Sequence, residues 1–207
     1  ATVIHDTAES SNRMKLHKPW VIRKALLGQA EGSVFIRHPY VRHDRPPKPP
    51  KRAGAVATSR VAFDKNTRMI LDANRLGAGI RIVGFENRLY TKFKIVPDYP
   101  EWVQSPGTHP RTGVGRFAHC LSANYMVDLT DIKGDGGGTQ YTFLEAWDAG
   151  AVPVIGDWWI RKSDDMISNG NCVAVGSAEE LARIMKGRNS LALRLALAGA
   201  GEKQLRK

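Results

Sequence analysis

Ala151-Val152-Pro153-Val154-Ile155 is an apolar run with no polar residue on either set of alternate positions. Successive side chains of a strand point to opposite faces, so a strand wet on one side alternates apolar and polar residues. A run that is apolar on both sets is a strand covered on both faces, the condition of a parallel sheet between layers of helices. The residues before it agree. Phe143, Leu144, Ala146, Trp147 and Ala149 make a helix that is apolar on most sides, with Glu145 as the exception, a carboxylate in its second turn. Gly150 stands where a helix C-terminus takes a left-handed residue. Ahead of the helix, Gly134-Asp135-Gly136-Gly137-Gly138 is a loop whose backbone can approach a ligand closely. Thr139 is placed to cap the helix. The helix start points its N–H groups and positive dipole end at the loop, which suits a phosphate. The same residues also suit an ordinary surface loop before a core helix.

The alternation extends along the chain. Ala55–Thr58, Ile80–Phe85 and Tyr125–Leu129 read as further short strands. Between the first two lies a helix, Asn66 to Leu76, with Met69, Ile70, Ala73 and Leu76 on one side, ended by Gly77 and Gly79. Residues 86–115, which hold Pro97, Pro100, Pro106 and Pro110, read mostly as loop, and Arg116–Ser122 as a short helix. Ser177 with Glu180 forms a capping box for a helix that runs to Met185 and stops at Gly187; Leu191 opens a last helix. The pattern predicts an α/β fold with a doubly wound, mostly parallel, Rossmann-like sheet and ligands at the carboxyl ends of its strands.

The first residues differ. Thr2–His5 and Ser33–Ile36 read as strands, and Asn12–Leu27 as helical, interrupted by Pro19. Arg45 to Arg52 holds four prolines in eight residues, which keep it extended and forbid helix. It reads as a domain boundary; an SH3-type ligand would need specific flanks. The division is therefore a partial α/β domain at 1–44, a linker at 45–52, and the Rossmann-like domain at 53–207. The chain opens without Met, directly on strand-like residues, which suggests a fragment or a processed chain whose missing part, or a partner chain, holds half of a site.

The net charge of +11 is uneven: residues 1–52 carry 11 Lys/Arg against 4 Asp/Glu, and 53–207 carry 20 against 16. Such a bias favours an anionic partner, although a solvating basic face gives the same count. No apolar run approaches the ~20 residues of a bilayer span, and no signal pattern opens the chain, so a cytoplasmic protein is expected. Cys120 and Cys172 lack metal-ligand spacing and read as reduced core thiols.

Three loops should meet at the carboxyl edge of the sheet. The first, after Ala55–Thr58, is Ser59-Arg60-Val61-Ala62-Phe63-Asp64-Lys65. Its Arg and Lys can converge on a diphosphate, one as a fork and the other as a point charge, though surface Arg and Lys are common. The second is the glycine loop. The third follows Ile155 and holds Asp157, Trp158 and Trp159.

Taken together these segments resemble the GT-B glycosyltransferases. Ser59–Lys65 is similar to the G-R-L-x-x-E-K-G segment that opens their nucleotide-binding domain. Gly137–Val154 is similar to E-G-F-G-x-x-x-x-E-A-x-A-x-G-x-P-V-I, and Asn169–Val175 followed by Glu179-Glu180-Leu181-Ala182 to the nGllv…eeLa ending. The resemblance covers residue 53 to about 195, and it implies roles. Ser59, Arg60 and Lys65 would hold the donor diphosphate, with Arg60 and Lys65 stabilising the leaving nucleotide. Gly137, Gly138, Thr139, Gln140, Tyr141 and Thr142 would reach the phosphate at the helix start. Glu145 would be the second acid of the E-x7-E motif, which takes the ribose hydroxyls. The first acid of that motif falls on Gly137, so the sugar is left undetermined. Val3-Ile4-His5-Asp6 resembles the strand that ends v-x-H in the N-terminal domain, where the His faces the donor sugar; on that match His5 is catalytic, and otherwise it is a structural His near a terminus.

The implied reaction moves a sugar from a nucleoside-diphosphate sugar, a UDP- or GDP-sugar, to an acceptor. Charge on the leaving phosphate would be met by Arg60, Lys65 and the helix N-terminus, with no metal and no other cofactor. Asp164-Asp165 is an adjacent acid pair rather than a metal motif. The basic first quarter points to an anionic acceptor. Phage glucosyltransferases of hydroxymethylated DNA bases share the fold and resemble Thr139–Ile155, which makes DNA one acceptor; a cell-envelope glycan or lipid is the other. A non-catalytic nucleotide- or DNA-binding module remains a reading of another class. A dinucleotide dehydrogenase does not fit, since no GxGxxG follows a strand.

Overall fold

The computed structural model describes residues 3–5, 19–21, 24, 27, 32–48, 50–102, 113–131, 139–187 and 191–206. Two parallel sheets carry the chain. The smaller contains β1 (Val3–His5), β2 (Pro19–Val21) and β3 (Val34–Phe35), in that spatial order. The helix expected across Asn12–Leu27 is corrected here, because Pro19, Trp20 and Val21 form the middle strand, paired with β1 on one side and β3 on the other. Proline has no N–H to give an interior helical turn, and as the first residue of a strand it is tolerated.

The larger sheet is wholly parallel. It is built from β4 (Ala55–Ala57), β5 (Ile80–Ile82), β6 (Tyr125–Asp128), β7 (Val152–Gly156) and β8 (Val173–Val175), in spatial order β5-β4-β6-β7-β8. Alternation assigns its two faces. Val127, Val152 and Val154 look into one core cluster with Met69, Ile70 and Leu181. Met126 and Ile155 look into the other with Phe117, Phe143 and Trp159. The first cluster is covered by α1 (Thr67–Arg75) and, further on, a helix over Ala178–Lys186. The doubly wound, parallel arrangement expected from the sequence is the observed fold.

Residues 86–102 differ from the expected loop. Arg88–Tyr90 forms α2, which runs straight into a π-helical turn, Thr91–Ile95. Asn87 caps it by accepting from the Tyr90 N–H at 3.1 Å, and Tyr90, Thr91 and Ile95 are buried beneath it. Pro97 and Pro100, the described prolines of this region, follow Ile95 and lie beyond that turn. Gly113–Leu121 forms α3, somewhat longer than the expected short helix. Next come α4 (Tyr141–Ala149), α5 (Trp159–Lys162), α6 (Ala178–Lys186) and α7 (Leu191–Leu205). The Ser177 half of the expected capping box forms, Ser177 accepting from the Glu180 N–H at 3.2 Å, while the Glu180 carboxylate reaches one residue further back and accepts from the Gly176 N–H at 2.9 Å. At the far end of α4, Gly150 has φ 73°.

The Pro-rich segment is strapped to the larger sheet and its helices. Asp148, fully buried on α4, accepts from the His43 N–H at 2.8 Å, the Tyr40 hydroxyl at 3.1 Å and Arg42 Nε at 3.0 Å. Arg45 donates to the Asp148 carbonyl and Arg52 to the Ala149 carbonyl. Among the described residues no helix is long and apolar enough to cross a membrane.

Candidate functional site

Strand order fixes where a ligand can enter. From β4 the chain moves outward to β5, then crosses back to β6 on the opposite side of β4. Helices therefore leave the carboxyl ends of β4 and β6 toward opposite faces and open a crevice between them, the switch point of an open α/β sheet. Beside it, at the carboxyl ends of β4 and β5, lies a cleft with a volume of about 1030 Å³. Arg60, Phe63 and Asp64 line it from the loop after β4, Phe85 to Arg88 from the loop after β5, and Arg116 from α3.

The two loops are held side by side. Val61 donates to the Phe85 carbonyl at 2.7 Å and Asn87 donates to the Val61 carbonyl at 2.8 Å. Gly84 makes this possible, since a Cβ on it would lie 1.8 Å from the Ser59 carbonyl oxygen.

Arg60 and Lys65 stand on the same loop but face differently: Arg60 lines the cleft, and Lys65 does not. Arg60 is 64% exposed and donates to both Asp64 oxygens, at 3.1 and 3.3 Å. Lys65 lies 3.5 Å from Asp64 and donates from Nζ to the Thr130 hydroxyl at 2.8 Å. Thr130 Oγ1 donates in turn to Asp128, which also accepts from the Thr130 N–H at 2.9 Å and from the Thr142 hydroxyl. Lys65 is thus aimed by a buried relay that starts at the end of β6. Burial would raise the Asp64 carboxyl, but the Lys65 charge and the Arg60 guanidinium outweigh it and hold Asp64 below its ordinary value.

The start of α4 also closes on this edge. Gln140, not Thr139, is its N-cap residue, and Gln140 makes no side-chain cap. Thr139 is buried and donates to Asp165 at 2.7 Å, so the expected Thr139 cap is replaced by a tie to the chain after α5. Asp165, one of the adjacent acid pair, also accepts from Gln204 at 2.8 Å and so joins α7 to this corner. Tyr141 is half-exposed, its ring edge-on to His38 at 4.2 Å. Trp158 and Trp159 of the third loop both donate to the Thr130 carbonyl, at 2.8 and 2.6 Å, fastening that loop to the end of β6.

Glu145 is 2% exposed and accepts from Arg116 Nη2 at 2.8 Å. Arg116 lines the cleft, and Glu145 does not. Ser59 sits between the lining residues Thr58 and Arg60, its hydroxyl buried. Gly137 and Gly138, with the rest of 132–138, lie outside the described residues, as does the His5 side chain; the His5 backbone pairs with Val21 in the smaller sheet. Sequence reasoning does not reach Arg116, Arg88, Asp128 or Thr130. Asp128 ends a buried strand and Thr130 lies two residues beyond it, positions that mark carboxyl-edge groups. Arg116 carries no such signal, since only packing of α3 against α4 brings it to Glu145.

No protein-family model and no curated protein sequence matches the chain. Solved structures do. A structure of Anabaena Alr3699/HepE in complex with UDP and glucose is similar over 99% of this chain and 66% of its own, at TM-score 0.71 and 11% identity. The C-terminal domain of LpcC, a group 1 family glycosyl transferase of Francisella tularensis, matches 76% of this chain and 86% of its own, at TM-score 0.56 and 13% identity. A mutant of S. aureus TarM in complex with fondaparinux, alpha-GlcNAc-glycerol and UDP matches over 96% of this chain at TM-score 0.66 and 15% identity. This chain spans only 42% of TarM's length. The alternating pattern, the switch-point crevice and these likenesses agree at the level of architecture: the chain has the Rossmann-like α/β fold seen in GT-B glycosyltransferase structures.

Proposed function

We propose that the chain binds a nucleoside-diphosphate sugar at the β4/β6 crevice and serves glycosyl transfer. The observation that carries this reading is the pair Arg60 and Lys65 at the switch point, with Lys65 aimed by the Thr130–Asp128 relay. Breaking the bond from the anomeric carbon to the diphosphate leaves positive charge on the sugar and negative charge on the departing phosphate. Arg60 as a fork and Lys65 as a point charge stabilise that phosphate, and the α4 N-terminus adds its dipole. UDP is the first donor nucleotide to try, because the HepE and TarM structures hold it. The acceptor is anionic, a glycan or lipid of the cell envelope, with DNA as the second choice.

A thermal-shift screen with UDP, GDP and ADP tests the core of the proposal: one of them should raise Tm by mass action. Arg60 is mostly exposed, so Arg60→Ala should leave the free protein's Tm unchanged and reduce or abolish the shift. Lys65→Ala should abolish it as well. If no nucleotide moves Tm, the proposal fails. A non-catalytic nucleotide module is the second reading, favoured by Gly137 at the position of the first motif acid. It predicts a nucleotide shift without transfer or hydrolysis of any nucleotide sugar.

A further inference from the structure

Arg116 stands between the cleft and Glu145, the carboxylate that the family pattern assigns to the ligand. Its Nη2 holds Glu145 at 2.8 Å, and the carboxylate is all but fully buried behind it. Arg116 itself is one-third exposed and forms part of the cleft wall. Its Nε is buried and makes no hydrogen bond among the described residues. From the end of β4 the Ser59 hydroxyl is likewise buried without a partner among them. The wall carries three cations, Arg60, Arg88 and Arg116, against two acids, Asp64 and Glu86, and Asp64 is already engaged by Arg60.

Arg116 engages one oxygen of Glu145, Oε1, and lines the cleft while Glu145 does not, so a ribose hydroxyl entering from the cleft meets the guanidinium first and would have to move it aside to reach the buried carboxylate. A charge-assisted bond is roughly twice as strong as a neutral one, and a buried carboxylate stripped of its cation is strongly destabilising. The exchange runs uphill, so the carboxylate keeps its arginine. Resting on the nucleotide-site reading above, we propose that Arg116, not Glu145, is the ligand-contacting group here. Arg116 takes a phosphate oxygen of the nucleoside diphosphate, as a third cation beside Arg60 and Lys65. Glu145 is a positioning residue that fixes the guanidinium from behind.

The test uses the full chain and UDP, or GDP or ADP if one of those is the nucleotide that binds. Failure of the wild type to bind all three sinks the nucleotide-site reading and this inference with it, before any variant is made. Arg116→Ala alone strands Glu145, so the informative variant is Arg116→Ala with Glu145→Gln, which removes one charge of each sign and leaves the net charge unchanged. It should weaken UDP binding by about tenfold or more and flatten the dependence of Kd on salt. Unchanged affinity, or a loss that is the same at low and high salt, overturns the proposal. Glu145→Gln alone gives a second readout, the ratio of affinities for UDP and 2′-deoxy-UDP. The ratio should stay as in the wild type; if it collapses toward one, the carboxylate takes the ribose directly and Arg116 is its structural partner only.

Discussion

Cys120 and Cys172 are both fully buried. Burial pushes each thiol up to about 12, and for Cys120 the Glu145 charge pushes the same way. Only the thiolate is nucleophilic, so both should be inert at neutral pH. A thiol reagent such as DTNB should label neither cysteine in the native protein and both after denaturation; fast labelling of either in the native state would contradict the packing described. Arg60 and Lys65 are legible as candidates in one dimension, because an Arg and a Lys just past a buried strand need no tertiary information to be noticed. Their unequal settings are not legible there. Asp64 holds Arg60 out in solvent, while Thr130, sixty-five residues on, turns Lys65 inward.

Among the elements, the loops after β4 and β5 form the working surface, and Gly84 sets their spacing. With a Cβ 1.8 Å from the Ser59 carbonyl oxygen, one backbone must shift, because neither atom belongs to a flexible side chain. Gly84→Ala should therefore destabilise the fold by roughly 1–3 kcal/mol. Chemical denaturation should read this as a lower midpoint with m unchanged. Any nucleotide-induced Tm shift should fall as well, since Arg60 rides on the displaced loop; a Gly84→Ala protein with native midpoint and native shift would refute the coupling. The helical turns after residue 86 are the elements least visible in the sequence. The α2 and π-helical segment is only eight residues long, and its buried side chains Tyr90, Thr91 and Ile95 span too few turns to establish a period. Local pattern has little to report there, and packing against the sheet decides.

For the molecule as a whole, the net charge of +11 divides into used and available parts. Arg42 and Arg45 are paired with Asp148 and Glu202, and Arg52 donates to backbone carbonyls behind α4. These three cations fasten the Pro-rich strap and are not a free basic face. If DNA is the acceptor, duplex carrying hydroxymethylated bases should bind with log Kd rising linearly with log salt and should become glycosylated. Absence of binding at 50 mM salt would leave the cell-envelope acceptor.

The order of residues alone dictates the class of fold. Apolar runs without alternation, separated by amphipathic helices and punctuated by Gly77, Gly150 and the Ser177 cap, leave few arrangements other than helices on both faces of a parallel sheet. These signals are local, set by periodicity and by backbone preferences within a few residues. Pro19 marks where local signals stop. A kink in a helix and the first residue of a three-residue strand look alike in sequence, because so short a strand is made only by its neighbours in the sheet. The site is different in kind. Arg116 against Glu145, Lys65 against Thr130 and the Asp148 strap join residues far apart in the chain. Such pairs carry no periodic signature. They exist only once the strands are ordered and the helices have docked, so the folded arrangement creates them and the linear pattern does not.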